Sequence, residues 1–378
     1  MHYAGVDLHK QSITICVLDE DRKVVRRKRL LCCNENLILA FFQNLGQFEV
    51  AVEATSGYEW FAKLLEPLDC RFVLAEPNRL KKMMDSRFKS DRLDAHKIAT
   101  VLAEGYMPQA YIPTDRQREH RGLVRHRCRL QRRITSLKAQ LRNLASRYNA
   151  DRTDLFTRGW VEFKKVKLSL ADRFVRDQLW AQLQFMTRQL CAANKKLGRF
   201  ADKAPALERE RRVLLQTIPG VGFVTAEVVL CEIGDPERFR SIGRLSSYAG
   251  LAPGRHESAG RQKELPITKA GSRLLRWVMI EAAWQTIRYS RRWRCEFERI
   301  AKRRGRKKAI VAIARRLLGV MHTMMLTGKP YDPLYVPMRC APDAAAQCCA
   351  SPPSRGRQTA TAAQEGKNDH RPSISSVN

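Results

Sequence analysis

The sequence predicts a mixed α/β domain followed by mainly helical structure, and three observations carry that prediction. Runs rich in Val, Ile and Thr alternate with helix-like segments over residues 1–110. Four-three apolar spacing then extends from Leu123 to Tyr148, and a glycine-dense region of short helix-like segments runs from Arg212 to about Tyr335. At 378 residues the chain is long enough for more than one hydrophobic core.

The elements follow in order. Tyr3–Asp7 and Ser12–Leu18 read as strands separated by Leu8-His9-Lys10, and Val24–Leu31 reads as a third, more basic strand. A helix-like stretch Asn34–Gln43 leads to the strand Phe48–Glu53, then a helix near Tyr58–Leu68, a strand Arg71–Ala75 and helices to about Tyr106. Periodicity by itself supports mixed α/β, and the order, a meander of strands and then alternating helices and strands, is that of a ribonuclease H-like domain. Pro113 bars a helix in the linker Tyr111–Asp115, where Thr114 or Asp115 is available to cap the next one. Leu123, Leu130, Ile134, Leu137, Leu141, Leu144 and Tyr148 form one heptad stripe, and Val175, Leu179, Leu183, Met186, Leu190 and Leu197 a second. The stripes define a coiled-coil arm over 115–211, folded back as a hairpin or paired between subunits. Ile310, Ala314, Leu317, Leu318, Met321 and Met325 mark a closing helix of a domain over 212–337. Residues 338–378 carry too few large apolar side chains for a core and are expected to be a disordered tail.

Charge points to the partner. Lys and Arg number 70 against 38 Asp and Glu, a formal net charge of +32, far beyond what solubility requires. The basic residues are spread over many elements instead of one amphipathic helix, which favours nucleic acid over a membrane surface. Between Arg288 and Lys308 they interleave with Tyr289, Trp293 and Phe297, a pattern suited to nucleic acid and equally to a solvated helix face. The eleven cysteines, with adjacent pairs at Cys32-Cys33 and Cys348-Cys349, suit neither a disulfide framework nor a zinc site. The expected location is cytoplasmic, since no leader pattern and no run of eighteen consecutive apolar residues is apparent.

The chemistry begins with carboxylates. Asp7 and Glu53 each end an apolar strand, and Asp91 and Asp94, three apart, share one helix face. Each by itself could be a cap or an ion-pair partner. Together they fit a divalent cation, because magnesium takes oxygen ligands and neutralises their mutual repulsion; manganese suits the same donors. His96 stands beside them as an ordinary helix-face residue.

Gly-Val-Asp7-Leu-His-Lys, Val-Glu53-Ala-Thr-Ser-Gly-Tyr-Glu-Trp and Lys-Ser-Asp91-Arg-Leu-Asp94-Ala-His-Lys-Ile-Ala resemble, in order and spacing, the signature of the DEDD insertion-sequence transposases of the IS110 family. That resemblance implies an N-terminal domain like the RuvC Holliday-junction resolvases, with Asp7, Glu53, Asp91 and Asp94 as the acidic tetrad.

In the C-terminal half, Ile218-Pro-Gly220-Val-Gly222 precedes an apolar helix and resembles a helix-hairpin-helix phosphate clamp; a plain helix-helix turn reads equally well. Further on, Ser258 is expected in a loop beside Gly260, with Arg255, His256, Arg261 and Lys263 nearby to hold a phosphate. From chemistry alone Ser246, Ser247, Thr268 and Ser272 compete with it. The block Gly250-Leu-Ala-Pro, Ser258-Ala-Gly, Ile267-Thr-Lys269-Ala-Gly and Leu275-Arg276 resembles the family's C-terminal transposase domain, whose nucleophilic serine falls on Ser258 and whose basic positions fall on Lys269 and Arg276. Ser-Ala-Gly stands where the family more often has Ser-Gly.

The resemblance covers roughly 3–335. It implies a DNA transposase that forms a covalent phosphoserine link before strand exchange, with the tetrad of one subunit and the serine domain of another meeting at a DNA strand. It also implies a homo-oligomer, dimer or tetramer, guided by a structured bridge RNA, which would leave sequence reading to base pairing and backbone binding to the protein. The alternative is a RuvC-like Holliday-junction nuclease that uses water, and a non-enzymatic nucleic-acid-binding protein is a third reading.

Overall fold

The computed structural model describes residues 1–333 apart from 56, 84–90 and 259–260; at 91–92, 255–258 and 261–264 the backbone alone is described. The expected tail at 338–378 lies outside the described residues. The chain divides between Leu123 and Val124 into two compact units.

In the first unit β1 (His2–Leu8), β2 (Ser12–Leu18) and β3 (Val24–Leu31) form an antiparallel meander. After α1 (Glu35–Gln43), β4 (Phe48–Glu53) adds parallel to β1; after α2 (Tyr58–Leu65), β5 (Cys70–Ala75) adds parallel to β4. The five-stranded order is β3-β2-β1-β4-β5, a mixed α/β sheet consistent with the ribonuclease H-like order expected from the sequence. Every residue of β2 is buried, as an apolar strand covered on both faces must be. On one face Val6, Ile15, Val50 and Val52 pack under Ile38, Phe42, Phe61 and Leu65 of α1 and α2. After α3 (Pro77–Met83), α4 (Asp91–Ala103) covers the other face, its Ala95 and Ala99 set against Cys16 and Leu18. Strand β3 is the exposed edge, with Leu30 its one buried residue.

Helix α5 (Asp115–Arg147) is capped by Thr114, whose Oγ1 accepts from the Gln117 amide at 3.2 Å. In the second unit its apolar stripe packs through α6 (Gly159–Lys165) on α7 (Leu170–Asp202): Ile134, Leu137, Leu141 and Leu144 share a core with Trp160, Phe163 and Leu183. The two stripes therefore fold back within one chain. Val175, expected in the second stripe, is 44% exposed, because in that turn Arg176 takes the inward position, buried and donating to the Phe163 carbonyl at 3.3 Å.

The remaining elements are α8 (Ala206–Gln216), α9 (Phe223–Ile233), α10 (Ile242–Tyr248), a hairpin of β6 (Pro253–Ser258) and β7 (Arg261–Ile267), α11 (Arg273–Tyr289), α12 (Arg291–Arg304) and α13 (Arg306–Thr327). Among the described residues α13 alone is long and apolar enough to cross a membrane, yet most of it is buried against α8, α10, α11 and α12, as a core helix is. All eight described cysteines are free.

Candidate active site

The pairing of β1 with β4 runs in register from His2 with Phe48 to Val6 with Val52. The next residues, Asp7 and Glu53, therefore stand abreast at the carboxyl ends of adjacent parallel strands, the usual ligand-binding edge of an open sheet. Helix α4 lies across β1, β2 and β4 and brings Asp94 to this edge in its first turn. Gly5 permits that approach: a Cβ there would overlap the Ala95 carbonyl and the Ala99 amide. Asp91 opens the same helix one turn earlier, and its side chain lies outside the described residues.

Electrostatics register the convergence. Burial first, and then the charges of Asp7 and Asp94, push the Glu53 carboxyl above its ordinary value. His9 Nε2 sits 3.0 Å from Asp7 Oδ2. Thr14, the cross-strand neighbour of Asp7, has a buried hydroxyl with no partner. Among the described residues no three acidic, histidine or cysteine side chains already stand at ligand spacing around one point. Clustered like charge, oxygen donors and an orphaned hydroxyl nonetheless fit a hard divalent cation with its waters. His96 turns to Cys16, with Nδ1 3.6 Å from Sγ, and burial followed by the charge of Arg27 holds it below its ordinary value.

In the second unit Ser258 ends β6 opposite Arg261 of β7, so the expected loop is the tip of a two-stranded ribbon. Polar residues run consecutively over Arg255–Ser258 and Arg261–Glu264, which removed the apolar alternation that marks a half-buried strand. Arg255 pairs with Glu264 on the same ribbon; the side chains of Arg255 and Ser258 lie outside the described residues. Of the competing hydroxyls, Ser247 donates to the Gly243 carbonyl at 3.0 Å. Ser272 caps α11 and donates to Glu232 at 3.1 Å, while Ser246 is buried without a partner.

Arg276 donates to the carbonyls of Lys269 at 3.1 Å and Ala249 at 3.3 Å, so it binds together the two loops that flank the ribbon. Lys269 is exposed and adopts φ +54, a conformation that turns the chain toward α11. Gly220 adopts φ +86 with its backbone against Gln285 of α11, so packing already requires glycine there. Gly222 caps α9 with open space around it, which leaves the amino end of that helix accessible.

Sequence reasoning passed over Gly5 and the buried acids of α9. Glu232, fully buried, accepts from Arg125 Nε at 2.9 Å and Nη2 at 3.1 Å, and Glu227 pairs with Arg212. The signal was present, for two glutamates within the apolar run Val224–Ile233 require buried partners.

A mixed sheet with acids gathered at its strand ends, joined to a strongly basic helical unit, defines a DNA-cleaving and recombining enzyme of the transposase class. Residues 4–150 match the "Transposase" family model of the DEDD IS110 type, and residues 212–298 match "Transposase IS116/IS110/IS902 family". The chain belongs to this family of insertion-sequence transposases. It is 26% identical to the transposase for insertion sequence element IS1111A of Coxiella burnetii over 86% of this chain and 90% of that protein. Identity to the pilin gene-inverting protein of Moraxella lacunata is 25%, over 87% of this chain and 97% of that one. For the transposase of element IS1328 from Yersinia enterocolitica it is 22%, over 74% and 82%.

Proposed function

We propose that this transposase cuts and rejoins DNA through Ser258, assisted by divalent metal held by Asp7, Glu53, Asp91 and Asp94, and that a structured bridge RNA guides it. The observation that carries the metal part is the placement of Asp7 and Glu53 abreast at adjacent strand ends with Asp94 brought to the same edge by α4, and the raised Glu53 carboxyl agrees with it. Magnesium, or manganese in its place, would neutralise those carboxylates and polarise the phosphate. The Ser258 hydroxyl gives up its proton as an Oγ–P bond forms; a phosphodiester P–O bond breaks and its bridging oxygen leaves with a proton. Arg255 on the same ribbon supplies positive charge for the phosphate, and Lys269 extends that field. Arg276 acts by holding the flanking loops, and the open amino end of α9 at Gly222 suits a DNA phosphate. The RuvC-like N-terminal domain, the helical arm and the C-terminal transposase domain act in a homo-oligomer, a dimer or tetramer. DNA backbone binding comes from the excess of basic residues, and sequence choice from RNA pairing.

Incubation of the full chain with element-end DNA, flanking transcribed RNA and magnesium is expected to give a DNA-protein adduct on a denaturing gel. Ser258→Ala and Asp94→Ala should each abolish it. Cleavage that persists in Ser258→Ala without an adduct would establish the water-using nuclease instead.

A further inference from the structure

Strand β3 presents Arg26, Arg27, Lys28 and Arg29 in succession, all exposed, at the open edge of the sheet. Charge on an edge strand commonly serves to prevent pairing with another chain. The register here adds something more specific. Arg29 lies opposite Thr14, which lies opposite Asp7; Arg27 lies opposite Cys16, which lies opposite Gly5. Residues paired across strands point to one face. Arg27 and Arg29 therefore share the face of Asp7, which α4 also covers, while Arg26 and Lys28 point to the other. The effect of Arg27 on His96 of α4 agrees with this placement. Arg29 is steadied from beneath, its Nη2 donating to Ser12 Oγ at 3.3 Å. Two strand spacings, roughly 10 Å, separate the backbone of Arg29 from that of Asp7. Arg27 and Arg29 stand roughly 7 Å apart along the strand, on the scale that separates neighbouring phosphates of one nucleic-acid strand.

We propose that Arg27 and Arg29 form a phosphate rail that holds the DNA strand beside the carboxylate site. The rail rests on the reading of Asp7, Glu53 and Asp94 as the place where DNA is cut. DNA is the occupant because Arg29 stands level with Asp7 on the same face, two strands away, and two guanidiniums on one face suit the charge and bidentate geometry of phosphates.

The test measures binding of element-end DNA by the full-length protein across a salt series, with single phosphates replaced in turn by neutral methylphosphonates. The doubly substituted Arg27→Ala/Arg29→Ala protein is expected to lose about 0.9 in the log–log salt slope for each phosphate contact removed. It should also stop responding to those neutral phosphates that weaken the unsubstituted protein. Arg26→Ala/Lys28→Ala removes equal charge from the same strand on the opposite face and should keep both properties. Equal behaviour of Arg26→Ala/Lys28→Ala and Arg27→Ala/Arg29→Ala would reduce β3 to edge protection and overturn the rail. So would an undiminished methylphosphonate response in Arg27→Ala/Arg29→Ala, or a loss confined to the bridge RNA. Because the readout is binding, absence of the serine adduct would overturn the cleavage reading alone. An unchanged salt slope with an intact adduct would overturn the rail alone.

Discussion

Glu53 shows how a single side chain reports its surroundings. Burial and two like charges raise its carboxyl, so between the ordinary carboxylate range and the raised value the folded chain binds more protons than the unfolded one. Stability must then fall as pH rises through that window and stay lower above it. In the absence of divalent metal, Glu53→Gln is expected to melt higher than the unsubstituted protein at neutral pH. The gap should close as pH drops below the ordinary carboxylate range, which thermal melts across pH will read. Magnesium should raise the melting temperature of the unsubstituted protein and leave Glu53→Gln nearly unmoved; an equal rise in both would remove Glu53 from the metal site. This residue was legible in the sequence because an acid at the end of an apolar strand is conspicuous. Its elevated proton affinity was not, since that depends first on burial and then on the charges of Asp7 and Asp94, which only the fold brings beside it.

Among the elements, the contact of β1 with α4 decides whether Asp94 reaches the sheet. Gly5→Ala would place a methyl group in the Ala95 and Ala99 backbone, and α4 would have to shift. Destabilisation of about 1–3 kcal/mol is expected from such overpacking, with adduct formation lost while the circular dichroism of the fold persists. Full adduct yield in a folded Gly5→Ala protein would show that the position of α4 does not matter for cleavage. In the second unit, Glu232 joins α9 to α5 through Arg125 and to the start of α11 through Ser272. Glu232→Ala is expected to lower the unfolding free energy by about 2 kcal/mol, the loss of charge-assisted hydrogen bonds, since the half-exposed Arg125 regains water; urea titration measures it, and an unchanged stability would contradict this role. The heptad stripes of α5 and α7 were legible because 3.5 spacing is a local property. Their pairing within one chain was not, and neither was the β6–β7 ribbon, whose strands carry no apolar alternation.

At the scale of the molecule, the net charge of +32 governs association. Affinity for element-end DNA is expected to fall steeply and linearly in log–log form as salt rises, with the same slope in Ser258→Ala and Asp94→Ala, since neither alters a basic residue. A filter-binding series measures this, and a flat dependence would exclude backbone binding as the main source of affinity. The sequence by itself determined the polyanion partner, the strand and helix order, the acids at the strand ends and the family motifs, because composition, periodicity and spacing are written in neighbouring residues. Tertiary structure alone decided that Gly5 admits α4, that Arg276 binds carbonyls of two loops, that Val175 is exposed, and that Arg27 and Arg29 lie on the face of Asp7. Each of those outcomes is a matter of register or close approach between segments distant in the chain, and such contacts leave no periodic trace in either segment.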